Sequence, residues 1–144
     1  MRSVRRSALV PYSAEQMFRL VDDIESYPSF LPWCTDARIV RRDGTTVEAT
    51  LEMSRAGLTR SFTTRNRRSE FDSIDLALAG GPFRHLEGTW RFQALREDAC
   101  KVTLDLDFEF ESRVLDMMLG AFFEETCNSL VDAFTRRAAA VYVD

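Results

Sequence analysis

The chain has 144 residues, 45% of them apolar and 29% charged. That length fits one domain able to bury a core without a disulfide or metal staple. A formal charge of −4 argues against a general nucleic-acid binder and leaves only a local basic patch as a route to such a partner. No apolar run approaches the ~20 residues needed to span a bilayer.

The first ten residues, MRSVRRSALV, are basic and free of acids, as an organelle leader is. Val4 to Val10 reads better as a first strand, too close to a helix signal to be removable. Pro11, Tyr12 and Ser13 then open a helix. Ser13 is an N-cap and Gln16 completes a capping box, while Tyr12 and Met17 have the spacing of a hydrophobic staple. Met17, Phe18, Leu20 and Val21 give the helix an apolar face, and Asp22–Asp23 end it. A second helical turn follows around Ile24–Tyr27, stopped by Pro28.

The next stretch, YPSFLPWC (Tyr27–Cys34), is stiff and irregular because Pro28 and Pro32 fix their own φ and restrict the residues before them. Surface connectors are usually polar. This one carries Tyr27, Phe30, Leu31 and Trp33, so it either plugs the end of the core or lines a site for an apolar partner.

After Trp33 the period changes to two. Ala37 to Arg42 reads as a strand, and Asp43-Gly44 predicts a type I′ hairpin. Thr46 to Met53 alternates, with Val47, Ala49, Leu51 and Met53 on one face. Ser54–Gly57 is a turn, Leu58 to Arg67 a strand with Leu58 and Phe62 inward, and Ile74, Leu76 and Leu78 mark another. Gly80-Gly81-Pro82 breaks it. Leu86 to Leu95 follows, with Leu86, Trp90, Phe92 and Ala94 on one face. The last strand sets Val102, Leu104, Leu106, Phe108 and Phe110 inward. Consecutive hairpins with one polar face imply an antiparallel meander covered on one side.

From about Arg113 to Tyr142 the period is helical. Leu115, Leu119, Phe123, Cys127, Leu130, Phe134, Ala138 and Val141 form one stripe. A helix of near 30 residues is about 45 Å long and can cross the whole sheet. Gly120 inside it admits a close backbone or a ligand. The expected fold is α+β: a seven-stranded antiparallel sheet curled around a long C-terminal helix, with two short helices after the first strand. The first strand should pair with the last, with Arg5 against Asp105 and Asp107.

Four segments carry a resemblance: VPYSAEQMFRLVDDIESYPSFLPWC (Val10–Cys34), GGPFRHLEGTWRF (Gly80–Phe92), LDFEF (Leu106–Phe110) and VDAFTRRAAAVY (Val131–Tyr142). Over essentially the whole chain the sequence resembles the coenzyme Q-binding START-domain family of the polyketide-cyclase superfamily, which includes the bacterial ribosome-association toxins. The resemblance implies a START-like helix-grip fold, ubiquinone as a bound ligand and a lipid-chaperone role in respiration. For some bacterial members it implies a ribosomal target instead.

Catalytic signals are sparse. His85 is the sole histidine, in the PFRHL turn, and no serine or cysteine near it in sequence suggests a triad. No phosphate loop, HExxH or CxxC is present, so no cofactor or metal is expected. Cys34, Cys100 and Cys127 have no metal-type spacing, and their odd number points to a reduced, intracellular protein.

Binding signals are stronger. Met117, Phe122 and Phe123 join the strand aromatics as inward candidates. The expected ligand-facing residues are Tyr27, Phe30, Leu31 and Trp33 in the connector, Pro82 and Phe83 in the glycine turn, and Trp90. The start of the long helix adds Leu115, Met118, Leu119 and Phe122. Arg60, Arg65, Arg67 and Arg68 form either a solvated face balancing nearby acids or a docking patch for anionic lipid or ribosomal RNA. The leading expectation is a monomeric, cytoplasmic, non-enzymatic binder of a polyisoprenoid quinone that meets the inner face of a membrane transiently. A ribosome-binding regulator and a cyclase- or hydratase-type enzyme are the alternatives.

Overall fold

The computed structural model describes residues 1–143. Seven strands, β1 (Arg2–Val10), β2 (Cys34–Asp43), β3 (Thr46–Arg55), β4 (Leu58–Ser69), β5 (Ser73–Gly80), β6 (Phe83–Arg96) and β7 (Ala99–Phe110), form one antiparallel sheet. Their order is β1-β7-β6-β5-β4-β3-β2. The meander closes on the first strand as expected, with Arg5 opposite Asp105 in register and its guanidinium 2.8 Å from Asp107.

Alternation in the strands decides which face is covered. Val102, Leu104, Leu106, Phe108 and Phe110 are all buried, as are Val47, Ala49 and Met53 on β3. Each strand contributes every second side chain to the concave face, because the strand period is two. Ala94 departs from the expected inward set: it is exposed, near the end of β6, where the pairing with β7 shifts register between Ala94 and Arg96.

The helix α1 (Ala14–Asp22) begins with the predicted box: Gln16 N–H donates to Ser13 Oγ at 3.0 Å, and Ser13 N–H donates to Gln16 Oε1 at 2.9 Å. Tyr12 lies against Tyr142, with ring centroids 6.2 Å apart, and so ties the start of α1 to the end of the chain. A 3-10 helix, Ile24–Ser29, continues through Pro28 instead of stopping before it. Pro28 lacks an N–H, and at the ends of this turn Ser26 donates to Asp23 and both Phe30 and Leu31 donate to Tyr27.

The C-terminal helix is not uniform. It comprises α2 (Arg113–Leu115), a π-helical turn (Asp116–Gly120), α3 (Ala121–Asn128) and α4 (Leu130–Val141). Leu119, Phe123, Cys127, Phe134 and Ala138 of the expected stripe are buried, whereas Val141 at its end is exposed. Gly120 makes room for neither a backbone nor a ligand. A Cβ there would come within 2.6 Å of Arg2 Nε, and Arg2 bridges Asp116 (2.9 Å) and Glu124 (3.1 Å) across it. The Arg2 hydrogen bond holds the Asp116 carboxyl below the usual carboxylate range. Among the described residues no helix is long and apolar enough to cross a membrane.

Two hairpins differ in detail from their expected turns. At the first, Asp43 pairs with Thr46, so Gly44 and Thr45 are the central residues. Only Gly44 of these has positive φ, at 61°, which is the sign pattern of a II′ turn. The I′ pattern falls at the next hairpin, where Arg55 pairs with Leu58 and both Ala56 (φ 50°) and Gly57 (φ 83°) are left-handed. Left-handed backbone costs an alanine roughly 1–2 kcal/mol, and asparagine tolerates it. Ala56→Asn is therefore expected to stabilise the protein by about 1 kcal/mol, raising Tm by about 3 °C in a thermal melt.

Candidate functional site

Two phenylalanines pin the C-terminal helix to the sheet. Phe123 meets Phe62, Phe83 and Phe108 at centroid distances of 5.7, 5.3 and 4.8 Å. Phe134 meets Tyr27, Phe30 and Trp90 at 5.4, 5.3 and 5.4 Å. Between them the helix lines the space with Cys127 and Leu130, and the sheet beneath includes the smaller Ala49, Thr64 and Asn66 among larger apolar side chains. These smaller side chains leave a cavity of about 90 Å³.

The cavity wall is mostly aromatic and aliphatic. Tyr27 and Trp33 come from the connector region, and Leu86, Trp90 and Leu106 from β6 and β7. Phe123, Cys127, Leu130 and Phe134 come from the helix. Its polar members are few. Thr64 Oγ1 donates to Asn66 Oδ1 at 2.8 Å, and both residues are buried. Asp22 is held by Arg68 through two bonds of 2.6 and 2.7 Å. Tyr27 Oη donates to the Val21 carbonyl, and burial pushes its phenol pKa upward. Burial likewise raises the Cys127 thiol, and pushes Cys34 and Cys100 up to about 11. None of the three presents a ready nucleophile at neutral pH.

Of the expected ligand-facing residues, the structure brings Tyr27, Trp33 and Trp90 to the cavity. Phe30 stands directly behind this wall, edge-on to Tyr27 and Phe134. Leu31 is a plug: it is buried with Ile24, Cys34, Ala37, Val47 and Ala49 in a second cluster. Pro82 and Phe83 are buried away from the cavity, Phe83 stacking on Phe110 at 4.5 Å.

The start of the helix does not reach the cavity. Leu119 is core, Leu115 is half-buried, and Phe122 lies under the Arg55 guanidinium at 4.8 Å. Met118 is 50% exposed and Met117 85%, so neither forms a pliable wall. Met117 lies two residues past Leu115, off the inward stripe; Met118, three past it, would share the stripe in an α-helix, but Asp116–Gly120 is π-helical and its wider turn carries Met118 outward. The connector accordingly faces Leu130 and Phe134 on the far half of the helix, not the glycine turn and the first helical turns.

His85 lies outside the cavity, half-exposed and 3.4 Å from Glu87 on the same strand. Three of the four clustered arginines are paired with acids: Arg65 with Glu48 at 3.0 Å, Arg67 with Asp75 at 3.5 Å and Arg68 with Asp22. Arg65 and Arg67 lie on a solvated, acid-balanced face, whereas Arg68 is part-buried against Asp22. Arg60 bonds the Thr59 carbonyl at 2.9 Å. Sequence reasoning missed Thr64 and Asn66. The signal was present: on β4 they share the parity of Phe62, two and four residues on.

The family model for polyketide cyclase / dehydrase and lipid transport proteins matches residues 10–135. The chain belongs to this family. Within it the chain is 44% identical to the ribosome association toxin RatA of Escherichia coli K12, over 99% of this chain and 90% of that one. It is 27% identical to the mitochondrial coenzyme Q-binding protein COQ10 homolog B of Xenopus laevis, over 94% of this chain and 57% of the other. A solution structure of an 18 kDa protein from Caulobacter crescentus is 36% identical, with a TM-score of 0.75 over 98% of both chains. The Zhui aromatase/cyclase from Streptomyces sp. R1128 superposes with a TM-score of 0.84 at 20% identity, over 99% of both chains, a likeness of fold alone. The sheet gripping a C-terminal helix is thus the START-like helix-grip architecture of its relatives.

The two roles of the connector separate by substitution. Leu31→Ala removes a buried plug and is expected to cost about 2–5 kcal/mol in chemical denaturation. Trp33→Ala removes a half-exposed wall, so the expected loss is smaller, about 1–2 kcal/mol. A cooperative transition should survive it.

Proposed function

We propose that this protein is a non-enzymatic carrier of an apolar molecule with a small polar head, of the polyisoprenoid quinone class, held between sheet and helix. The apolar cavity between Phe123 and Phe134 carries this reading. Burying an isoprenoid chain yields roughly 25 cal/mol per Å² without any charged partner, and the flanking aromatics suit a quinone ring. The relative named as coenzyme Q-binding supports the same class of ligand.

A cavity of about 90 Å³ is smaller than the ~150 Å³ that admits a benzene. Entry of a ring therefore requires the helix to draw back from the sheet. The helix is interrupted at Ser129, between the cavity residues Cys127 and Leu130, and Ser129 N–H is shared between the Glu125 and Thr126 carbonyls at 3.1 Å each. The helix yields at that point in this reading. In this reading the protein works in the cytoplasm and loads at the inner face of a membrane, serving respiratory electron transport. Purified protein from a quinone-producing host should yield the quinone by extraction and mass spectrometry. If no quinone is recovered and none is taken up in vitro, the reading is wrong.

Ribosome binding is the second reading, favoured by relatives 42–45% identical over nearly the whole chain that are named ribosome association toxins. Added protein should then deplete assembled ribosomes in sucrose gradients. Unchanged profiles at excess protein would remove this role. An enzymatic reading lacks an acid–base group at the cavity, since His85 lies elsewhere and Asp22 is engaged by Arg68.

A further inference from the structure

We infer that Asn66, braced by Thr64, is the hydrogen-bond donor that fixes the ligand's head, so the cavity takes a neutral molecule bearing a carbonyl-type oxygen. The inference rests on the carrier reading above and specifies what that carrier recognises.

Besides Cys127 and the indoles of Trp33 and Trp90, four polar side chains line the cavity: Asp22, Tyr27, Thr64 and Asn66. Three of them have their donors or charge committed. Both oxygens of Asp22 accept from Arg68 at 2.6 and 2.7 Å, so the two charges neutralise one another. Tyr27 spends its proton on the Val21 carbonyl, and Thr64 spends its proton on Asn66 Oδ1 at 2.8 Å. Asn66 accepts that bond through its oxygen, which leaves its two amide N–H groups free to donate, beside the indole N–H groups of Trp33 and Trp90.

The position of Asn66 is costly. It is 6% exposed, on the concave parity of β4, among Leu51, Ile74 and Leu76. Burying an amide in apolar surroundings is unfavourable unless it is hydrogen-bonded. A leucine would pack there without that cost. The Thr64 bond orients the carboxamide and so prevents it from turning its acceptor toward the cavity. A ligand with a neutral acceptor completes the set. An anion would meet Asp22, and a cation would compete with Arg68 for it, so neither charge is favoured.

The test compares wild type, Asn66→Leu and Thr64→Val against two probes, a short-chain ubiquinone and a prenyl hydrocarbon lacking oxygen. Binding is read by titration calorimetry in mild detergent, and the quinone carbonyl stretch by infrared difference spectroscopy. Asn66→Leu should weaken quinone binding about tenfold, the worth of one buried hydrogen bond, and leave the hydrocarbon unchanged. The carbonyl stretch should lose its hydrogen-bonded shift. Thr64→Val keeps the side-chain shape and should give a smaller loss of the same selective kind, so the test survives if Asn66→Leu fails to fold. Equal loss for both probes, or no loss in either variant, overturns the inference and leaves the carrier reading standing. Wild type that binds neither probe overturns both.

Discussion

One constraint organises the molecule: helices must cover the concave face of a seven-stranded sheet, and the C-terminal one does so through two aromatic anchors. Phe123 and Phe134 lie eleven residues apart, about 16 Å along a helix axis. Each inserts among rings from the sheet or connector at edge-to-face distances. The small residues between them cannot fill the space that the anchors hold open. The cavity is therefore a consequence of how the helix is fastened. The shared hydrogen bond at Ser129 falls within that same interval.

Around this centre the rest of the fold serves to close edges. The first strand covers β7, and its Arg2 reaches over Gly120 to Asp116 and Glu124, tying the sheet edge to the π-helical turn. At the other edge the connector folds Leu31 against β2 and β3 while presenting Tyr27 and Trp33 to the cavity. Plug and wall are thus alternate sides of one stiff segment. The prolines, which fix their own φ, hold both sides in place.

Much of the site was legible as residue type but not as position. Tyr27, Trp33 and Trp90 were chosen for size and apolarity, and they do reach the cavity. Phe83, Leu115, Met118 and Phe122 were chosen on the same grounds and do not. What separates the groups is where the helix crosses the sheet. Sequence spacing fixes which residues share a helix face, but not which part of that face meets which strand. Thr64 and Asn66 were overlooked because polar residues on a strand ordinarily face water. Only the parity of Phe62, carried forward along β4, turns them inward.

Determined by the sequence alone were the elements with strong local causes. These include the capping box of α1, the period-two faces of β3 and β7, the stripe of the long helix and the pairing of the first strand with the last. Each follows from backbone hydrogen bonding or from alternation that one residue's shift would invert. The tertiary structure decided what depends on distant groups meeting. It put the left-handed I′ turn at Ala56-Gly57, gave Gly120 to an ion pair and sent the connector to the far half of the helix. It also left one amide among apolar walls. Those outcomes follow from packing two periodic surfaces at one particular offset, and that offset is set by the whole core.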